Sequence, residues 1–495
     1  MDLSILSDEQ QYAYELFTCG KNICITGPGG TGKTKLIEYF VNYSKSIGNS
    51  IQVCAMTGCA TVLLPKICNA RTLHSWSGIR LCKGDKKQIV ENVMRNKRNK
   101  ANWKNIKILI IDEISMMSVK ILNVLNEIAQ TVRYNREPFG GIQLVLLGDF
   151  YQLPPVGTIG EPETEQFCFN SKLWTKMFQP DNIVILKTIF RQTDPIYKSI
   201  LLEIREACLS EQNISILKKY LNRDIDETKY NGCIPTKLFP TRAKTDYLNN
   251  LMFSKLDNEK YTFNREKKVA CKTYIESNKP LSIADLEKCS NLPETIIEFE
   301  IQKLIGTSSY PEMLHLKKGA NVMCTVNLDI DNGICNGSQG VISDIVETET
   351  GILPEVIFIN GIKRVLDVHF VQSEEYPCIA VGQIPLCLAW ALTIHKIQGT
   401  TLSMANIDVG SQIFECGQTY VALSRVQSLD GLYLSAFNPS RIRANKEVKT
   451  FYDNIPEKEY KIEKKEKVDE NIFSSFELKE EDYVDPTIKK IQLYK

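Results

Sequence analysis

At 495 residues the chain is too long for one ordinary hydrophobic core, so about two to four domains are expected. Its 43% apolar and 24% charged residues match a soluble globular chain. The formal net charge of +1 means that any basic surface must be local. No apolar run is long enough to cross a membrane, and the opening "MDLSILSDEQQ" lacks both a secretory pattern and the arginines of a mitochondrial leader. An intracellular setting, nuclear or cytoplasmic, is therefore expected, and a viral origin fits so compact a chain. The 16 cysteines are scattered singly without any C-x-x-C pair, and only four histidines could assist them. That pattern predicts reduced, mostly buried thiols and no zinc site.

In chain order, "KNICITGPGGTGKTKLIEYFVNY" reads as a short apolar strand, a glycine-rich loop and a helix. "SIQVCAMTG", "IKILIIDEIS" and "GIQLVLLGD" are further apolar strands, and "SVKILNVLNEIAQTV" between the last two has helical spacing. Continuous apolar strands alternating with helices predict a parallel sheet covered on both faces. The basic stretch "KGDKKQIVENVMRNKRNKANWKNIK", with Trp103 inside it, reads as a solvated helical segment in preference to a nucleic-acid patch. From about Lys255 the texture changes to short β runs broken by Asp-Asn-Gly, Asn-Gly and Gln-Gly hairpin signals. A small β-barrel inserted in an α/β domain is the expectation, with α/β texture returning at "LCLAWALTIHKIQG". The Lys- and Glu-dense end from about Pro456 predicts a solvated helix or tail.

"GPGGTGKT", comprising Gly27, Pro28, Gly29, Gly30, Thr31, Gly32, Lys33 and Thr34, matches G-x-x-x-x-G-K-[ST] between a strand and a helix. Glycines let backbone N–H groups close around phosphate oxygens, and the helix N-terminus adds partial positive charge. Lys33 then supplies charge to the β- and γ-phosphates, and the Thr34 hydroxyl is placed for Mg²⁺. Asp112 and Glu113 follow four apolar residues at a strand end. Two adjacent carboxylates there suit metal holding by Asp112 and activation of water by Glu113, although a helix cap would explain one of them. Together these residues predict hydrolysis of a nucleoside triphosphate, with ATP and Mg²⁺ as cofactors.

A longer series of blocks resembles the superfamily 1B DNA helicases of the petite-integration-frequency (PIF) type. They are "LSDEQ", "MTGCATVLLP…ARTLHSWSGI", "IDEISMM", "LNEIAQTVRYNREPFGGIQLVLLGDFYQLPPV", "FRQ", "LFPTRAKTDYLNN", "LKKGANVM", "NGSQG", "LAWALTIHKIQGTTL" and "GQTYVALSRVQSLDGL". The resemblance implies two RecA-like lobes. It assigns the adenine edge to Gln10, the γ-phosphate sensor to Gln152, arginine fingers to Arg191 and Arg425, and close phosphate approach to Gly399. Arginine suits the finger role because its planar, permanently charged fork binds phosphate bidentately. Asp149 and Gln152 are both expected to face the nucleotide. The implied DNA contacts are Thr57, Thr72, His74, Pro154, Pro155, Thr241, Arg242, Thr393 and His395; a lone histidine is more often structural, but His74 and His395 fall in blocks from opposite lobes.

The implied architecture is a first lobe over 1–190, with a small wedge near 62–72. A second lobe over 191–254 and 386–455 is interrupted by an SH3-like β-barrel over 255–385, and 456–495 form a charged tail. "VLLPKICNA" departs from the family at a glycine-containing turn, and Arg242 stands where asparagine is frequent. The resemblance implies an ATP-dependent helicase moving 5′ to 3′ on single-stranded DNA in replication, recombination or repair. Its partners would be single-stranded and forked duplex DNA. The chain is expected to be monomeric when free, with single-strand-binding or replication proteins as candidate partners. The competing readings are a RecD- or phage-type motor subunit and a DNA-independent P-loop remodeller. The first is disfavoured by "PFGGIQLVLLGD", the second by the paired arginines.

Overall fold

The computed structural model describes residues 3–225, 232–275, 277–308, 310–329, 332–349, 351–373 and 375–458. Most of the expected charged tail, from residue 459 onward, lies outside the described residues. Among the described residues, no helix is long and apolar enough to cross a membrane.

In the first part of the chain, β1 (Ile23–Thr26), β2 (Ile51–Ala55), β3 (Arg71–Thr72), β4 (Ile108–Asp112), β5 (Gln143–Gly148) and β6 (Ile183–Ile185) form one sheet in the order β3-β2-β4-β5-β1-β6. All its pairings are parallel. Every residue of β1 and β4 is buried, as expected of strands covered on both faces. The covering helix Val119–Arg133 starts at Ser118, whose side chain accepts from the Ile121 N–H, and it buries Leu122, Leu125, Ile128 and Val132 at helical spacing. Because the strands are parallel, Thr26, Asp112 and Gly148 all reach the same carboxyl edge, where ligands of open α/β sheets bind.

β7 (Thr236–Phe239) is followed by a largely antiparallel region with β8 (Tyr261–Asn264), β9 (Glu266–Val269), β10 (Met313–Leu316), β11 (Asn321–Cys324), β12 (Gln339–Thr348), β13 (Gly351–Phe358), β14 (Lys363–Val365), β15 (His369–Gln372), β16 (Ile379–Gln383) and β17 (Leu386–Leu388). Its sheets have the orders β10-β8, β14-β13-β12-β11-β17 and β15-β16-β9. The five-stranded sheet runs past residue 385, because β17 pairs antiparallel with β11. The Asn360–Gly361 signal does turn between β13 and β14. The Gln-Gly signal does not: Gln339 and Gly340 begin β12, and the glycine is needed because a Cβ there would lie 2.7 Å from the Ile357 carbonyl oxygen.

The chain then adds β18 (Ala391–Thr393), β19 (Ala405–Val409) and β20 (Leu432–Phe437) to β7, giving a second parallel sheet in the order β18-β7-β19-β20. Gln339 joins the two regions: its buried Nε2 donates to Thr236 Oγ1 at 2.8 Å and to the Met404 carbonyl at 3.0 Å. Each parallel sheet has its own core, around Leu109, Ile111 and Leu146 in the first and Leu238, Ile407 and Leu434 in the second.

The helix Lys446–Asp453 follows the second sheet in sequence, and its Val448, Phe451 and Tyr452 pack into the first core.

Candidate functional site

The phosphate loop closes over its own lysine. Lys33 Nζ donates to the carbonyl oxygens of Gly27 at 2.7 Å and Pro28 at 2.9 Å. Burial pushes the Lys33 pKa down, while Asp149, Glu113 and Asp112 pull it back up. The helix Lys33–Ser46 starts at Gly32, which has a left-handed backbone and no side-chain cap, so its first N–H groups face the loop. Gln10 forms the capping box of the helix Asp8–Thr18: its Oε1 accepts from the Ser7 N–H at 3.0 Å, and its Nε2 donates to the Thr31 carbonyl at 3.0 Å. Gln10 therefore lines the cleft with both ends of its amide already engaged, one of them on the phosphate loop itself.

Asp112 and Glu113 stand at the end of β4. Burial and the neighbouring Glu113 push the Asp112 pKa up to about 7. Glu113 has φ 57° and ψ 46°, a left-handed conformation that costs a non-glycine residue about 1 kcal/mol or more. That turn aims its carboxylate at the second half of the chain, where Gln398 Nε2 donates to its Oε2 at 3.2 Å. Gly399 also has positive φ, and a Cβ on it would lie 2.6 Å from Leu63 Cδ1.

Arg191 and Arg425 converge on the loop: the Arg191 N–H donates to the Gly30 carbonyl, and Arg425 comes from the second half of the chain. A Cβ on Gly29 would lie 3.6 Å from both Arg191 Nη1 and Arg425 Nη2. Arg425 is 1% exposed, with Nε donating to the Val421 carbonyl and Nη2 to Ser424 Oγ. Burial and the adjacent Arg425 lower the Arg191 pKa to about 10. Two close guanidinium groups favour an anion between them and the loop. Asp112, Glu113, Gln152, Arg191, Gly399 and Arg425 share with the phosphate loop one cleft of about 620 Å³. Thr34 is exposed at its rim.

Three contributors were missed as individual residues. The Gly29 N–H donates to Tyr420 Oη at 2.9 Å, so a second-half hydroxyl holds the loop. Phe190 is 52% exposed on the cleft wall. Gln398 steers Glu113. Tyr420, Phe190 and Gln398 all lie beside residues that the motifs do mark, but a motif does not say which neighbours face inward.

The turn after β5 divides the expected pair. Gln152 is buried in the cleft, and its Oε1 has no hydrogen-bond partner. Asp149 is not among the residues that line the cleft, although its charge acts on Lys33. It is fully buried and bound by Arg205, whose Nη2 donates to Oδ1 at 2.9 Å and Nε to Oδ2 at 3.1 Å. A buried carboxylate needs a paired cation, and the helix Pro195–Glu206 supplies it. Gly417 brings the second half against the same turn: a Cβ there would fall 2.3 Å from the Tyr151 carbonyl oxygen.

The expected strand contacts lie at or just beyond the carboxyl ends of parallel strands, with several acting as helix caps. Thr57 Oγ1 accepts from the Ala60 N–H and Thr72 Oγ1 from the Ser75 N–H. Thr241 precedes the helix Arg242–Ser254 without a side-chain cap bond. Thr393 Oγ1 accepts from the Lys396 N–H. Arg242 is exposed, 3.5 Å from Asp246. His395 is exposed, and His74 is half-buried, with burial lowering its pKa. Pro154 is half-buried but Pro155 is buried, so a ring face is available at Pro154 and not at Pro155. Trp103 is fully buried in the first core with Nε1 donating to the Ser77 carbonyl, so its ring is not exposed for stacking on a base. In "VLLPKICNA" the left-handed turn is made by Asn69, at φ 43° and ψ 52°; asparagine tolerates that conformation better than most side chains.

Residues 5–206 match the family model described as PIF1-like helicase. Residues 305–345 match the one described as DNA helicase Pif1, 2B domain. The chain is 34% identical over 457 residues to the ATP-dependent DNA helicase PIF1 of Danio rerio, covering 91% of this chain and 64% of that protein. It is 32% identical over 505 residues to the ATP-dependent DNA helicase RRM3 of Saccharomyces cerevisiae, covering 91% and 68%. It thus spans slightly less than two thirds of the Danio relative. The crystal structure of Pif1 helicase from Candida albicans is similar with a TM-score of 0.70 and 32% identity, over 91% of this chain and 100% of that one. Pif1 helicase from Bacteroides, in complex with ADP-AlF3 and single-stranded DNA, is similar with a TM-score of 0.58 and 26% identity, over 91% and 96%. With a phosphate loop, a carboxylate pair and two arginines in one cleft, and with these relatives over 91% of its length, the chain belongs to the PIF1-like helicase family.

Proposed function

We propose that the chain is an ATP-driven DNA helicase that translocates on single-stranded DNA in the 5′ to 3′ direction and opens forked duplexes, in replication, recombination or repair. The observation that carries this reading is the approach of Arg425, from the second half of the chain, to the phosphate loop of the first, where it meets Arg191. A cleft built in this way is complete only when its two sides are closed, so loss of the γ-phosphate changes how they meet.

In this reading, Lys33 exchanges its loop carbonyls for phosphate oxygens. Glu113 takes the proton of the attacking water as the new P–O bond forms and the β–γ bridging bond breaks. Gln152, with an unpartnered amide oxygen in the cleft, spans the water and a γ-phosphate oxygen. Arg191 and Arg425 stabilise the charge that develops on the transferred phosphoryl group. Thr34 and Asp112 are hard oxygen donors suited to Mg²⁺. Bound there, the ion would neutralise phosphate charge.

The parallel sheets would be the cores of two RecA-like lobes, 1–190 and 191–254 with 386–455, leaving aside the C-terminal helix. Residues 62–72 would form the wedge, and the antiparallel region would be the SH3-like accessory barrel. Thr57, Thr72, His74, Pro154, Thr241, Arg242, Thr393 and His395 would line the strand. Small polar groups at sheet edges suit a sequence-neutral grip on phosphates. An intracellular, monomeric helicase is part of the same proposal. It is tested by unwinding duplexes with a 5′ or a 3′ single-stranded tail: opening only from the 5′ tail is expected, and opening only from the 3′ tail overturns the polarity.

A further inference from the structure

Beside the turn that carries Gln152 lies a polar cluster that no step above uses. Arg205 is 7% exposed and Asp149 is fully buried, and the two form a two-pronged ion pair. The guanidinium carbon lies 4.4 Å from the Tyr151 ring centroid and 5.0 Å from that of Tyr452, and the two rings stack at 4.9 Å with planes 11° apart. Tyr452 Oη is 2.5 Å from Thr26 Oγ1, donates to Asp149 Oδ1 at 3.3 Å and accepts from the Phe150 N–H at 3.4 Å. Each of these partners is attached to a moving part of the proposed engine. Thr26 immediately precedes the phosphate loop. Asp149 holds the turn that carries the sensor, accepting from the Tyr151 N–H through its side chain and from the Gln152 N–H through its carbonyl. Arg205 ends the helix Pro195–Glu206, which packs in the second core through Tyr197, Ile200 and Leu201. Tyr452 belongs to the C-terminal helix, which follows the second sheet but packs on the first.

We infer that Arg205 and Tyr452 are positioning residues for hydrolysis: they lock the Asp149 turn to the end of β1, so that Gln152 is set against the phosphates only when the second-core helix and the C-terminal helix are seated. The geometry favours this over simple packing. Each ring could be held by apolar neighbours alone, yet the Tyr452 hydroxyl reaches both the strand end before the phosphate loop and the sensor turn. A bidentate arginine held against two stacked aromatic rings also fixes its partner carboxylate in orientation, which a lysine cannot do. This inference rests on the ATP-hydrolysing reading of the cleft.

The test is steady-state ATP hydrolysis by the full chain with saturating single-stranded DNA, comparing wild type, Tyr452→Phe and Arg205→Lys, with thermal melting of each. Tyr452→Phe keeps the ring stack and removes only the hydroxyl, so it should melt close to wild type. The expected result is a fall in kcat of at least fivefold for both variants with KM for ATP within about twofold, because a displaced sensor weakens the transition state more than nucleotide binding. A well-folded Tyr452→Phe with wild-type kcat, or with KM raised and kcat unchanged, overturns the positioning role. A wild-type chain that hydrolyses no ATP overturns the underlying reading instead, and this inference with it.

Discussion

The nucleotide cleft and the expected strand track are built from the same two halves of the chain, but in opposite ways. In the cleft, residues far apart in sequence converge on fixed atoms: Tyr420 holds Gly29, Gln398 holds Glu113, and two arginines flank one glycine. Along the track, Thr57, Thr72 and Thr393 are occupied by local cap bonds three residues away, and Arg242 and His395 are exposed. Phosphoryl transfer needs charges placed at one developing centre, whereas a moving strand needs many weak, repeated contacts. One side concentrates its energetics in a few buried groups, and the other spreads them over surface positions.

The sharpest way to break that contrast is Arg425→Ala, which should lower DNA-stimulated kcat by about 10³-fold or more while leaving DNA affinity nearly unchanged. Equal loss of both would show that the arginine supports the fold, which parallel melting curves would reveal. Next comes Glu113→Gln, expected to bind ATP and DNA but to slow hydrolysis by about 10²–10⁴-fold; wild-type turnover would remove it as the base. Lys33→Ala should follow, with a loss on the order of 10²–10³ in turnover together with weakened nucleotide binding, measured by titration with a fluorescent ATP analogue. On the other side of the comparison the effects are small. Arg242→Ala should reduce the salt dependence of single-strand binding by about 0.7 in log–log slope, as expected for one lost phosphate contact. Thr72→Ala should cost about 1 kcal/mol of stability through its cap, read by denaturant unfolding, with the salt slope unmoved.

The same contrast explains what could be read from the chain beforehand. Gly27 to Thr34, Asp112 and Glu113 are contiguous, so strand, loop and helix together carry the chemistry in one stretch of sequence. The first parallel sheet is legible as continuous apolar runs and the antiparallel region as a change in texture, whereas second-sheet strands such as "TKLF" and "ANIDV" alternate buried and half-buried residues and carry no such run. The ion pair of Asp149 is not legible from the motif, because its partner Arg205 lies 56 positions away. The Gln339–Gly340 pair looked like a turn because glycine serves both turns and close strand contact. That the helix Lys446–Asp453 packs into the first core while following the second sheet is not legible for a related reason. An amphipathic pattern specifies that a face is buried, not what buries it.

The most direct test of the central claim, that the cleft is an ATP engine coupled to a single strand, is the ATP hydrolysis rate of the full chain with and without single-stranded DNA. The account predicts slow turnover alone and a rise of at least tenfold at saturating DNA, lost in Arg425→Ala. A rate indifferent to DNA in a well-folded protein would contradict it.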